Sequence, residues 1–135
     1  MYLMPYTSLI QMPLHHSAEE LLITAIKSQF SLAVDYDHQI ALIWPIRYGW
    51  KTTNEKGRHK NLFCYQFGGR SSKPLRGKGS AANYRCWNVD MIHSVLPIND
   101  AWRPPAGWST RKSQCIEEVI VGPVRESDVQ PSLET

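Results

Sequence analysis

The sequence has no run approaching the roughly 18 consecutive apolar residues that a membrane-spanning helix requires. It also lacks a basic start followed by an unbroken apolar core: Pro5 and Pro13 interrupt the N-terminal MYLMPYTSLIQMPLHH, so no secretory leader is read there and the expected location is the cytoplasm. Cysteine is sparse. Cys64, Cys86 and Cys115 are widely spaced, odd in number and form no CxxC pair, which argues against a metal knuckle or a disulfide framework and predicts reduced, structural thiols. There is no nucleophile elbow, and no Gly-rich phosphate loop opens a helix, because Gly77-x-Gly79 lies in a loop ahead of a strand. No enzymatic activity, catalytic residue or cofactor is therefore expected. Acidic residues are nearly missing from one segment: between Arg47 and Arg85 stand ten Lys or Arg and a single acid, Glu55. From Glu117 onward the balance reverses, with five acids against Arg125. A net charge of +3 conceals this segregation, which points to an anionic partner.

What is present fits one globular domain. The chain has 135 residues, 42% of them apolar and 20% charged, a length and balance that bury a single core. Five Trp, six Tyr and nine Pro favour β structure with many turns. Residues 1–16 read as an extended arm, 17–122 as the folded domain and 123–135 as an acidic tail. Ser17, followed by Glu19 and Glu20, has the character of a helix cap with acids in the first turn, and Leu21, Leu22, Ala25 and Ile26 give an apolar stripe at helical spacing that ends near Gln29. From Phe30 to Tyr36 the apolar positions alternate, which is strand spacing. Asp37-His38-Gln39 makes a turn, Ile40 to Ile46 a buried strand with Pro45 at an edge or bulge, and Lys51 to Lys60 a polar loop. Asn61 to Phe67 and Tyr84 to Val89 read as further strands around a loop from Arg70 to Asn83, expected to be mobile without ligand. Asp90 to Val95 leads into a fifth strand, Trp102 to Pro105 is extended, and Ser113 to Val121 fits a final strand or a short helix. One helix and five to six short strands predict a mainly β fold, a small SH3-like barrel with an N-terminal α-helix.

Several local signatures in this order resemble the WYL-type domain family in its short SH3-barrel form. They are Ala25-Ile26 ending the helix, Tyr36-Asp37, Trp44-Pro45 with Gly49, and Leu62 to Tyr65 with Gln66. Gly68-Gly69 with Ser71, Tyr84-Arg85-Cys86-Trp87 leading to Val89, Ile92 and Val95, and Pro104 to Trp108 complete the set, which covers residues 19 to 122. The resemblance implies a helix followed by an SH3-like barrel. It also implies a regulatory role of the kind found in bacterial regulators and defence proteins, in which a basic and aromatic groove binds nucleic acids or nucleotides. Where the family commonly carries Arg, a polar or acidic residue, and His, this chain has Ala41, Trp44 and Ile46. The groove chemistry is then either relocated to Arg47, Arg58, Arg70 and Arg85 or lost. With one helix there is no helix-turn-helix.

The candidate ligand-binding residues are Arg47, Arg58, Tyr65, Gln66, Arg70, Ser71, Arg85 and Trp87. Arginine offers bidentate donors to phosphate, and aromatic rings stack on bases at about 1–3 kcal/mol each. The ligand is expected across the strands carrying Tyr65, Gln66, Arg85 and Trp87, beneath the loop from Arg70 to Asn83. For Trp44, flanked by Ile43 and Ile46, core packing is the better reading; for Arg85, a salt bridge to Asp90 or Asp35 competes. A second reading is a protein-interaction or homodimerisation module using the aromatic segment Trp102 to Trp108 and an exposed barrel edge. A third, weaker reading is a metal-dependent hydrolase centred on Asp35, Asp37 and His38; His15-His16 point to opposite faces and do not share a metal easily.

Overall fold

A computed structural model describes residues 16–99 and 103–123. Its elements are one helix, α1 (His16–Ser28), and six strands: β1 (Leu32–Tyr36), β2 (Gln39–Thr53), β3 (Gly57–Gly69), β4 (Tyr84–Asn88), β5 (Ile92–Pro97) and β6 (Glu118–Val121). The first fifteen residues, Asp100 to Trp102, and everything after Pro123 lie outside the described residues, so the expected arm, acidic tail and Trp102 are not placed.

The helix begins one residue earlier than its sequence signal, putting Ser17 in the first turn instead of at the cap. Its end is a Schellman closure: Gln29 adopts φ 61° and Phe30 N–H donates to Ala25 O at 3.1 Å. Leu22, Ala25 and Ile26 form its buried face.

The strands run antiparallel in the order β4-β3-β2-β1-β5, with β6 added to the far half of β2. That order forces closure. β4 and β5 are the two ends of the path, about 19 Å apart if the sheet were flat, yet only the 3₁₀ turn Val89–Met91 joins them. At about 2 Å per residue such a turn cannot bridge that distance, so the sheet curls until its edges meet. Tyr36 of β1 then stacks on Trp87 of β4, with ring centroids 4.2 Å apart and planes 8° from parallel.

β2 makes the bend. Its first half pairs with β1 through Ile43 and its last residues pair with β6 from Tyr48, while bulges interrupt the β3 register at Leu42/Ile43 and Pro45/Arg47. Pro45 lacks an N–H, and it sits at the second bulge in the stretch between those two partners, mid-strand and not at a strand end. Further along, Gly49 is required by close approach: a Cβ there would overlap the Glu118 carbonyl oxygen of β6.

The segment from Lys51 to Lys60, expected as a polar loop, is instead the end of a long hairpin turning at residues 54–56. Hydropathy hides it because its support is cross-strand and cationic: Arg58 and Lys60 both lie over the Trp50 ring, at 3.9 and 5.0 Å. The final expected element shortens to β6, and its approach, through the 3₁₀ turn Trp108–Thr110, is irregular.

Two apolar clusters result. The barrel interior holds Leu32, Val34, Ile43, Tyr48, Leu62, Cys64, Trp87 and Ile92 with the helix residues Leu22, Ala25 and Ile26. The outer face of β2 and β3 presents Trp44, Ile46, Phe63 and Tyr65, which Trp108 and Ile116 of the returning chain cover. Trp108 thus folds back on its own barrel, edge-on to Trp44 at 5.6 Å and partly buried there.

The helix is also fixed by charge. Lys60 Nζ lies 2.7 Å from Glu19 Oε2, and the Tyr48 hydroxyl donates to the same carboxylate. These bonds, Lys60 first, hold the Glu19 carboxyl below the ordinary glutamate range. A depressed folded-state value means stability that is present above the ordinary range and is lost as pH falls through the lower one. Glu19→Gln is expected to lower Tm at pH 7 and to flatten its fall below pH 4.5; thermal melts across that range check it, and parallel profiles for both proteins would contradict it.

Candidate functional site

The ten cations between Arg47 and Arg85 separate into distinct environments. Lys51, Arg58 and Lys60 meet Glu117, Glu118 and Glu19 at 3.5, 3.1 and 2.7 Å. Arg47 and Arg85 are buried, 3% and 4% exposed. Lys56 is exposed near the hairpin turn. Arg70, Lys73, Arg76 and Lys78 are exposed on a single loop between β3 and β4, and among the described residues none of the four meets a carboxylate.

The buried pair are tethers. Arg47 reaches the returning chain, donating to Ser113 Oγ at 2.7 Å, Arg111 O at 2.6 Å, Ser109 O at 3.4 Å and Pro123 O. Arg85 points under the basic loop: its Nε donates to Gln66 Oε1 at 3.0 Å, and its terminal nitrogens donate to Lys73 O at 2.9 Å, Ala82 O at 3.2 Å and Pro74 O at 3.3 Å. Main-chain carbonyls, not Asp35 or Asp90, satisfy this charge. Burial pushes the guanidinium down from its ordinary value. Two expectations therefore change: Arg47 and Arg85 are enclosed by their own chain, and their donors are already engaged.

The other expected residues fall on either side of this divide. Tyr65 is 1% exposed, edge-on to Tyr84 at 4.9 Å, and cannot stack on a base. Trp87 is 4% exposed with a face against Tyr36, and is a core ring. Gln66 is fully buried; it accepts from Arg85 and donates to Gly68 O at 3.0 Å. Arg58 is distant in role, spanning Trp50 and Glu118 at the hairpin. Arg70 and Ser71 do belong to the loop, where Arg70 N–H donates to Ile40 O at 2.8 Å and the Ser71 hydroxyl donates to Lys73 O. Gln66, Arg70, Ser71, Arg85 and Trp87 are thus brought together, with Ser71, Arg85 and Trp87 lining one groove; Arg47 and Arg58 are not.

Asn83 is the support that sequence reading missed. It is 3% exposed, receives Arg76 N–H at 2.8 Å, and donates to Arg76 O and Gly77 O at 3.2 Å and to the Tyr65 hydroxyl at 3.3 Å. A lone Asn before a strand carries no signal for such a role. The loop expected to be mobile is therefore fastened at both halves, by Arg85 beneath residues 73–74 and by Asn83 beneath 76–77. Loop residues line two grooves: one of about 410 Å³ with Ser71, Ser72 and Lys73 together with Tyr36, Tyr84, Arg85, Cys86 and Trp87, and one of about 270 Å³ with Leu75, Arg76, Lys78 and Gly79 together with Tyr65, Phe67 and Asn83.

Among the described residues no group of three His, Cys, Asp or Glu side chains could hold a metal ion, and His38 stacks on His93 at 4.3 Å. The thiols also depart from expectation. Cys86 and Cys115 form a disulfide, with Cα atoms 6.0 Å apart, while Cys64 is free and buried. No helix among the described residues is long and apolar enough to cross a membrane. Comparisons of the chain with protein families, with curated proteins and with solved structures return no match.

Proposed function

We propose that this protein is a non-enzymatic regulatory domain of the cytoplasm, akin to the WYL type, that binds single-stranded nucleic acid or a nucleotide on the loop of residues 70–80. The observation that carries this reading is the set of four exposed cations that meet no carboxylate among the described residues, on a backbone held from beneath by Arg85 and Asn83. A loop whose carbonyls are already engaged inward loses little entropy when a ligand settles on it. Arg70 and Arg76 supply forked donors for phosphate, Lys73 and Lys78 point charges, and the Ser72 hydroxyl a further polar contact. Tyr36 and Tyr84, both partly exposed, are the more accessible rings of the groove that Trp87 and Arg85 also line.

The test is a titration with a short, labelled single-stranded oligonucleotide at several salt concentrations. Three contacted phosphates give a slope of log K against log salt of roughly −2. No binding at low salt defeats the reading.

A further inference from the structure

We propose that Cys86–Cys115 is a reversible redox clamp, whose reduction by an external dithiol loosens residues 103–117 from the outer barrel face without opening the barrel. Position comes first. Cys86 is exposed on β4 and Cys115 is partly exposed. Both border an open groove of about 440 Å³ that also contains Lys51, Glu55, Lys56 and His59. A reductant therefore reaches the bond from solvent. Cys64, wholly buried and with its thiol pushed up by that burial, stays outside the exchange.

The segment it fastens is the part of the fold with least regular support. Between Arg103 and Glu117 it contains one 3₁₀ turn and no strand. Besides the disulfide, it is attached by the packing of Trp108 and Ile116 on the outer-face cluster, by the Arg111 guanidinium over the Tyr84 ring, and by isolated hydrogen bonds: those from Arg47, Asn61 Nδ2 to Cys115 O at 2.9 Å, Lys51 Nζ to Gln114 O at 2.9 Å and Glu117 N–H to Trp50 O at 2.8 Å. Elements held this way open locally at lower free energy than a paired sheet. The barrel has its own closure, since β1 to β5 pair and pack around an interior cluster that contains neither cysteine of the bond.

The chemistry balances as a two-electron exchange. One thiolate of the dithiol attacks Sγ of the more exposed Cys86, the S–S bond breaks, and Cys115 departs as a thiolate that takes up a proton. The second thiol of the reagent attacks the mixed disulfide, releases Cys86 as a thiol and leaves the reagent oxidised to its own disulfide.

The experiment treats the native, full-length protein with dithiothreitol without denaturant, counts alkylated thiols by mass, and follows hydrogen exchange by segment. The expected result is labelling of Cys86 and Cys115 but not Cys64, exchange in 103–117 faster by about tenfold or more, unchanged protection across 32–69, and restoration on reoxidation. A Cys86→Ser/Cys115→Ser variant should show the reduced profile with or without dithiothreitol. Three free thiols before treatment, resistance to reduction without denaturant, unchanged exchange in 103–117, loss of protection throughout the barrel, or a double variant that fails to fold would each overturn the proposal.

Discussion

Arg85→Ala is expected to lower stability by about 2–4 kcal/mol and to free the loop of residues 70–83, with the loss read by denaturant melts and by hydrogen exchange across that loop. Four acceptors depend on this one side chain. The carbonyls of Lys73, Pro74 and Ala82 can turn to water once it is gone, but Gln66 Oε1 lies in a fully buried side chain and would lose a charged donor. Arg85→Lys should recover only part of the loss, because a single ammonium cannot reproduce a fork that spans residues 66, 73, 74 and 82. Had Arg85 faced a ligand, the same substitution would have weakened binding while leaving the melt nearly unchanged. A wild-type melting curve with weakened binding would contradict the assignment.

Trp87→Ala should have the larger effect on the barrel itself, about 3–5 kcal/mol, and should lower Tm by roughly 10–25 °C for a domain of this size. The ring is nearly sealed, stacks on Tyr36 and belongs to the interior cluster where β4 meets β1. Its removal leaves a cavity at the closure point of the sheet and strips Tyr36 of its stacking partner. Trp87→Phe, which keeps a ring there, should cost markedly less. A change of less than about 1 kcal/mol on Trp87→Ala would show that the ring is not part of the packed interior.

Both residues were candidate ligand contacts from sequence, and the reason their structural roles were not legible there is chemical. An arginine that ties down carbonyls and one that grips phosphate use the same five donors, so residue type and strand context do not distinguish them. An aromatic on a strand with polar neighbours likewise gives no indication of which side is covered when the cover comes from a distant segment: Trp108 lies 64 residues beyond Trp44. The periodic parts were legible. The stripe Leu22, Ala25, Ile26, the alternation in β1, the Asp37-His38 turn (φ 52° and 68°) and the strands around the 70–83 loop all follow from local pattern. The long hairpin was not, since Trp50 and its cations pair across strands and leave no apolar run. Nor was the disulfide, whose partners stand 29 residues apart and meet only because β4 and the returning chain share one face. The charge segregation was visible, and the fold then divided it by giving carboxylate partners to Lys51, Arg58 and Lys60 of the hairpin and, among the described residues, none to the cations of the loop.

The most direct measurement of the central claim compares oligonucleotide affinity and its salt dependence for the wild type and for Lys73→Gln/Arg76→Gln/Lys78→Gln. These exposed side chains can be changed without touching Arg85 or Asn83. The account predicts an unchanged melt, weaker binding at low salt, and a salt slope shallower by roughly 0.7 for each phosphate that the variant no longer neutralises. Equal affinity and an equal slope in the two proteins would contradict it.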